Sequence, residues 1–171
     1  MSEVVRESGM DFILDESATF YFEKSQTISG ISGLKKAEFA VKINSSEHTI
    51  IRIIEAKTTA PNICESGEDS SNYVHCIHEK FRDSLIALNV ALIKRNKDIF
   101  QELPQPFLGV NLENVKFQLY LVVKNHKREW IPSLNDALKR EMSSLIKCWN
   151  ILDADVKAFN EESARRRNII K

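Results

Sequence analysis

The run His48-Thr-Ile-Ile-Arg-Ile-Ile-Glu-Ala-Lys57 constrains this chain more than any other segment. Its isoleucines predict a strand buried in a core, and that strand ends by placing a carboxylate and an amine two residues apart. Side chains alternate across a strand, so Glu55 and Lys57 must point the same way, on the pleat that carries Ile51 and Ile53. A charged pair at the end of a buried strand needs a reason. A carboxylate that can hold a divalent cation, beside a lysine that can orient a water or offset charge on phosphate, suits phosphodiester hydrolysis. The bland alternative is a strand that leaves the core with both charges solvated. The neighbouring segments carry the choice between the two.

Ala37-Glu-Phe-Ala-Val-Lys-Ile43 is also strand-like, with Ala37, Phe39, Val41 and Ile43 on one face and Glu38, Ala40 and Lys42 on the other. Between the two runs, Asn44-Ser-Ser-Glu47 reads as a hairpin turn, which makes them adjacent and antiparallel. Glu38 then lies near the start of one strand and Glu55 near the end of the next, where a hairpin brings residues together. Two converging carboxylates repel, so they are splayed into water or neutralised by a metal or by Lys57.

Elsewhere the pattern alternates between strands and helices. Phe12-Ile-Leu14 and Thr19-Phe-Tyr-Phe22 are strand-like, and Gly30 and Gly33 form a loop into the Glu38 strand, giving a meander of about three strands. After Lys57, the acidic stretch Glu65 to Asn72 reads as a mobile loop beside the charged pair. From about Tyr73 to Asn96, Ile77, Phe81, Leu85, Leu88 and Leu92 make the apolar stripe of a helix. Its His75 and His78 stand one turn apart and can share a metal, yet no third ligand is indicated nearby, which favours solvated or hydrogen-bonded histidines. Residues 100–114, with Pro104 and Pro106, read as a loop. Val115 to Lys124 alternates on one face and is apolar on the other at Tyr120 and Val122, as a central strand requires. Ser133-Leu-Asn-Asp136 has N-cap spacing for one long helix through Leu134, Leu138, Met142, Leu145 and Trp149. Asp155 to Phe159 reads as a short last strand, and Asn160 as the N-cap of a final helix with early acids and late bases. The expectation is an α/β domain over residues 1–171, a mixed sheet flanked by helices in the order βββ-α-β-α-β-α.

An acidic residue opening one strand, a Glu-x-Lys closing the next and a helix thereafter resemble the PD-(D/E)XK nuclease superfamily. That superfamily includes restriction endonucleases, Holliday-junction resolvases and many phage-defence nucleases. The resemblance covers roughly residues 18 to 125 as an order of elements, and its specific part is Glu38, Glu55 and Lys57. The chain departs from the commoner pattern with Glu instead of Asp at the first position, Ala37 instead of Pro before it, and no amino-terminal helix bearing a further Glu. The resemblance implies a restriction endonuclease-like sheet and a Mg²⁺ or Mn²⁺ ion held by Glu38, Glu55 and the main-chain carbonyl of Ala56. It implies that Lys57 orients the attacking water and that the following helix lends a polar side chain, Lys80 first and His78 next. The activity implied is cleavage of DNA within a genome-defence or DNA-processing complex. A second reading keeps the fold without the activity: Glu55 and Lys57 form an ion pair, and the protein is an accessory subunit that binds protein partners.

Charge bears on both readings. With 24 basic and 24 acidic residues the chain has no global field to gather DNA. Any nucleic-acid surface must come from local clusters such as Lys35-Lys36, Lys94-Arg95 with Lys97, Lys124 to Arg128, or Arg165 to Arg167. Weak binding to bare DNA is expected, with engagement through a protein partner such as an ATPase or nuclease subunit, or through further copies of the chain. A hydrophobic content of 43% supplies a core. The first residues are charged and no apolar run approaches ~18 residues, so a soluble, cytoplasmic protein without a membrane partner is expected. Three cysteines without CxxC spacing are expected to be reduced thiols.

Overall fold

The computed structural model describes residues 2–65 and 67–171. Its first element is a hairpin, β1 (Ser2–Glu7) paired antiparallel with β2 (Met10–Asp15). The turn between them is Ser8 and Gly9, both with positive φ at 49° and 72°, the backbone that a two-residue hairpin loop demands. The strand character of Phe12-Ile-Leu14 is thus observed, but it belongs to this separate two-stranded sheet. The main sheet is mixed and five-stranded, in the spatial order β3 (Thr19–Tyr21), β4 (Phe39–Asn44), β5 (Thr49–Lys57), β6 (Val115–Val123), β7 (Val156–Asn160). The first two pairings are antiparallel and the last two parallel.

Alternation along these strands divides the apolar residues between two faces. Ala40, Ile51, Ile53, Leu119, Leu121 and Val123 meet one set of helices. These are α2 (Glu68–Leu92), α3 (Lys97–Glu102), α4 (Ile131–Glu141) and α5 (Ser143–Cys148), together with the single turn α1 (Gln26–Ser29). Phe39, Val41, Ile54, Tyr120 and Val122 meet the hairpin, through Met10, Phe12 and Leu14, and the carboxyl-terminal segment that holds α6 (Glu161–Arg166). Ile51, Ile53 and Leu119 are wholly buried, as expected for strands inside a sheet. Ala37 departs from the expected alternation and packs with the helical layer, because β4 begins only at Phe39.

Several boundaries differ from the sequence reading. The acidic stretch before Tyr73 is not all loop: α2 begins at Glu68, and Glu68 and Asp69 in its first turn favour the positive end of the helix dipole. The expected loop after Phe100 is partly helical, because Asn96 caps α3 by accepting from the amides of Asp98 and Ile99. The long helix expected from Ser133 starts at Ile131 with Pro132 in its first turn, so Ser133 is helical instead of capping. It also breaks at Met142 into α4 and α5. At Asn160 the expected cap is present as a reciprocal box with Ser163. No helix among the described residues is long and apolar enough to cross a membrane.

Candidate active site

Local sequence places Glu55 and Lys57 on the helix-facing side of β5, where the strand runs out of the sheet. Pairing of Phe39 with Ile54 sets Glu38, one residue before β4, beside Glu55, and the Glu38 amide donates to the Ile54 carbonyl at 3.1 Å. The approach to Glu38 is held from above by α2. Asp83 accepts from the Lys35 amide at 2.9 Å and Ser84 accepts from the Ala37 amide at 2.8 Å. Both helix residues are buried, so these bonds fix the loop where the carboxylate enters.

Four of the side chains singled out in the sequence converge. Lys57 Nζ lies 2.7 Å from Glu55 Oε1. Lys80, from α2, donates to the same oxygen at 2.7 Å and lies 4.0 Å from Glu38 Oε1. One ammonium therefore stands between the two carboxylates. Ala56 presents its carbonyl to the hairpin turn, where it accepts from the Ser8 hydroxyl at 3.1 Å.

Burial dominates the electrostatics. Glu55 is 0% exposed, and its Oε2 is buried without a hydrogen-bond partner among the described residues. Burial, followed by the charges of Glu55 and Glu7, pushes the Glu38 carboxyl up to about 7, with Lys80 offsetting part of the effect and Glu23 adding to it. For Lys57, burial favours the neutral amine, but the hydrogen bond and charge of Glu55 outweigh it and hold the group above the usual lysine range. The Tyr73 hydroxyl, buried and without a partner among the described residues, is pushed upward by burial and then by the Glu55 charge.

Tyr73 and Ser8 did not emerge from the sequence pattern. Tyr73 and Lys80 are seven residues apart, two turns of one helix face, and that spacing is a readable signal. Ser8-Gly9 carries turn chemistry that marks a hairpin, but nothing local says where the hairpin docks.

His78 is not at this site. It lies on another face of α2, with Nδ1 3.6 Å from Glu141 Oε1, and His75 Nδ1 is 2.8 Å from the same oxygen. The third ligand missing from the sequence around the two histidines thus arrives from the end of α4. A separate surface concavity, between Asp15, Lys42 and Arg52 on the hairpin side of the sheet, holds none of the converging residues.

Glu38 and Glu55 are the residues of this cluster that could hold a divalent cation. Glu55 has a buried oxygen with no donor among the described residues, and burial followed by the Glu55 charge raises the Glu38 carboxyl to about 7, whereas the Ala56 carbonyl is engaged by the Ser8 hydroxyl. Comparison of the chain with protein-family models, with curated proteins and with solved structures finds no match.

Proposed function

We propose that this protein is a metal-dependent nuclease of PD-(D/E)XK type that hydrolyses phosphodiester bonds in DNA as part of a genome-defence or DNA-processing complex. The observation that carries the reading is the convergence of Glu38 and Glu55 at one end of the sheet beside Lys57, with Glu55 Oε2 buried and without a hydrogen-bond partner among the described residues. Further support comes from the mixed five-stranded sheet flanked by helices, an α/β architecture compatible with this reading.

In this reading Glu38, Glu55 and the Ala56 carbonyl, once released by Ser8, would hold Mg²⁺ or Mn²⁺. When bound there, such an ion would supply the positive charge that polarises a phosphoryl oxygen and acidifies water. Glu38 must give up its proton to take part. Lys57, about one-third exposed at the strand end, donates to a water and aligns it with the phosphate. Lys80 is more buried and balances the negative charge of the two carboxylates and the incoming phosphate. The zero net charge implies that a protein partner supplies much of the DNA-binding surface.

The test is cleavage of plasmid and linear DNA with Mg²⁺ or Mn²⁺, for the protein alone and with candidate partner subunits. Glu55→Gln and Lys57→Ala are each expected to lose activity by about 100-fold or more, since each removes a contribution of several kcal/mol at the transition state. Undiminished metal-dependent cleavage by both variants would overturn the assignment. One observation favours the second reading, an inactive accessory subunit. Glu55 Oε1 is already met by two lysines at 2.7 Å, which compensates the carboxylate without an ion. Millimolar Mg²⁺ should raise the Tm of the parent but not of Glu55→Gln if the nuclease reading holds. Absence of any shift would select the accessory role.

A further inference from the structure

We propose that His75, His78 and Glu141 form a binding site for a zinc-class divalent ion, distinct from the carboxylate–lysine cluster and clamping α2 to the end of α4. Among the described residues, this is the group of three metal-ligating side chains whose ligand atoms all lie within 4.8 Å of one another. The two histidines come from one turn of α2, and Glu141 is the last residue of α4 before the break at Met142.

The spacing suits a tetrahedral ion. Bonds of about 2.1 Å to nitrogen and oxygen set neighbouring ligand atoms about 3.4 Å apart. The 3.6 Å between His78 Nδ1 and Glu141 Oε1 is already close to that edge. The 2.8 Å between His75 Nδ1 and the same oxygen is a hydrogen bond, which an ion replaces when the distance opens slightly. His75 is more than half exposed and can turn to allow this, whereas His78 is mostly buried and anchors the site. The His78 Nδ1 atom is itself buried and has no hydrogen-bond partner among the described residues, with the Glu141 carboxylate just beyond hydrogen-bond distance at 3.6 Å.

The donor set decides which ion. Two imidazoles and one carboxylate favour zinc and its neighbours in the transition series, whereas the all-oxygen set around Glu55 favours magnesium or manganese. Three protein ligands also leave the fourth position open to water or another small ligand, as in catalytic zinc sites. The two clusters face different sides of α2, so the protein can sort ions by donor chemistry.

The test uses the full chain after exhaustive chelation. Zn²⁺ binding is followed by calorimetry and by the rise in Tm, and Co²⁺ binding by the visible absorption of a four-coordinate ion. Exposed Cys64, Cys76 and Cys148 are competing ligands, so the same measurements are made with all three changed to Ser. Zn²⁺ should bind the parent, the cysteine-free protein and Glu55→Gln alike. His78→Ala and Glu141→Gln should each weaken it by at least about tenfold while retaining the circular dichroism of the parent. Binding unchanged in both of these variants, binding lost with the cysteines, or no binding by the folded parent would each overturn the site.

Discussion

Helix α2 carries a charged cluster on each of two faces, and the contrast between them is a contrast in burial. Toward the sheet, Lys80 joins Lys57 in pairing Glu55, which is wholly shielded from water. Toward α4, His75 meets Glu141 with both side chains more than one-third exposed. Similar groups at similar distances therefore make opposite contributions to the cost of losing a partner. In the inner cluster an unpaired charge has no water to turn to, whereas in the outer one solvent replaces whatever is removed.

The largest expected effect comes from removing the shared acceptor. Glu55→Ala leaves Lys57 and Lys80 without their shared acceptor and should lower the unfolding free energy by about 3–5 kcal/mol, against under about 1 kcal/mol for Glu141→Ala in metal-free buffer. Urea denaturation of the two variants measures both. Comparable losses would break the contrast.

Next in size is a pH effect located at Glu38. Its carboxyl is raised from 4.5 to about 7 in the folded protein, so the native state binds the proton more tightly than the unfolded chain. The associated stability is fully present below about pH 4.5 and is lost as pH rises through about 7, amounting to about 3 kcal/mol at most. Unfolding of the parent and of Glu38→Gln at pH 4 and pH 8 isolates this component. The parent should lose more stability than the variant over that interval, and parallel curves would show that Glu38 titrates normally.

The two lysines sharpen the picture at smaller cost. Lys80 is less exposed than Lys57 and touches both carboxylates, so Lys80→Met should destabilise by about 2 kcal/mol and Lys57→Met by about 1 kcal/mol. The reverse order in denaturation would mean that the strand-end lysine is the structural one. The smallest effect belongs to His75→Gln, expected within about 0.5 kcal/mol of the parent at pH 8 without metal.

Whether a feature was legible in the sequence depended on how far apart its parts lie along the chain. The opposition of Glu38 and Glu55 was legible because a short turn fixes the register of β4 on β5, and alternation then sets the faces. Lys80 was legible only through the resemblance, in which the helix after the Glu-x-Lys strand lends a polar side chain. Glu141 was not legible, because its meeting with His75 and His78 depends on how α4 crosses α2, which no local pattern encodes. The β1–β2 hairpin was half visible: Phe12-Ile-Leu14 shows as an apolar run, but Ser2–Glu7 holds only Val4 and Val5 among polar neighbours. Periodicity was blind to the break at Met142, since Leu134, Leu138, Met142 and Leu145 stay buried on both sides of it. Pro132 in the first turn of α4 overrode the cap signal at Ser133.

The position of β5 also governs how the chain must mature during synthesis. One edge of the strand pairs at once with β4, through a short turn, but the other edge pairs along its whole length with β6, which lies beyond α2 and α3 in the chain. At about 5–20 residues per second the ribosome needs several seconds to make that intervening chain. For that interval a strand rich in isoleucine displays an open row of amides and carbonyls. Helix α2, emerging directly after it, covers the face of the strand but cannot close the edge. Newly made chains are thus most exposed to strand-to-strand association between the completion of β5 and the arrival of β6.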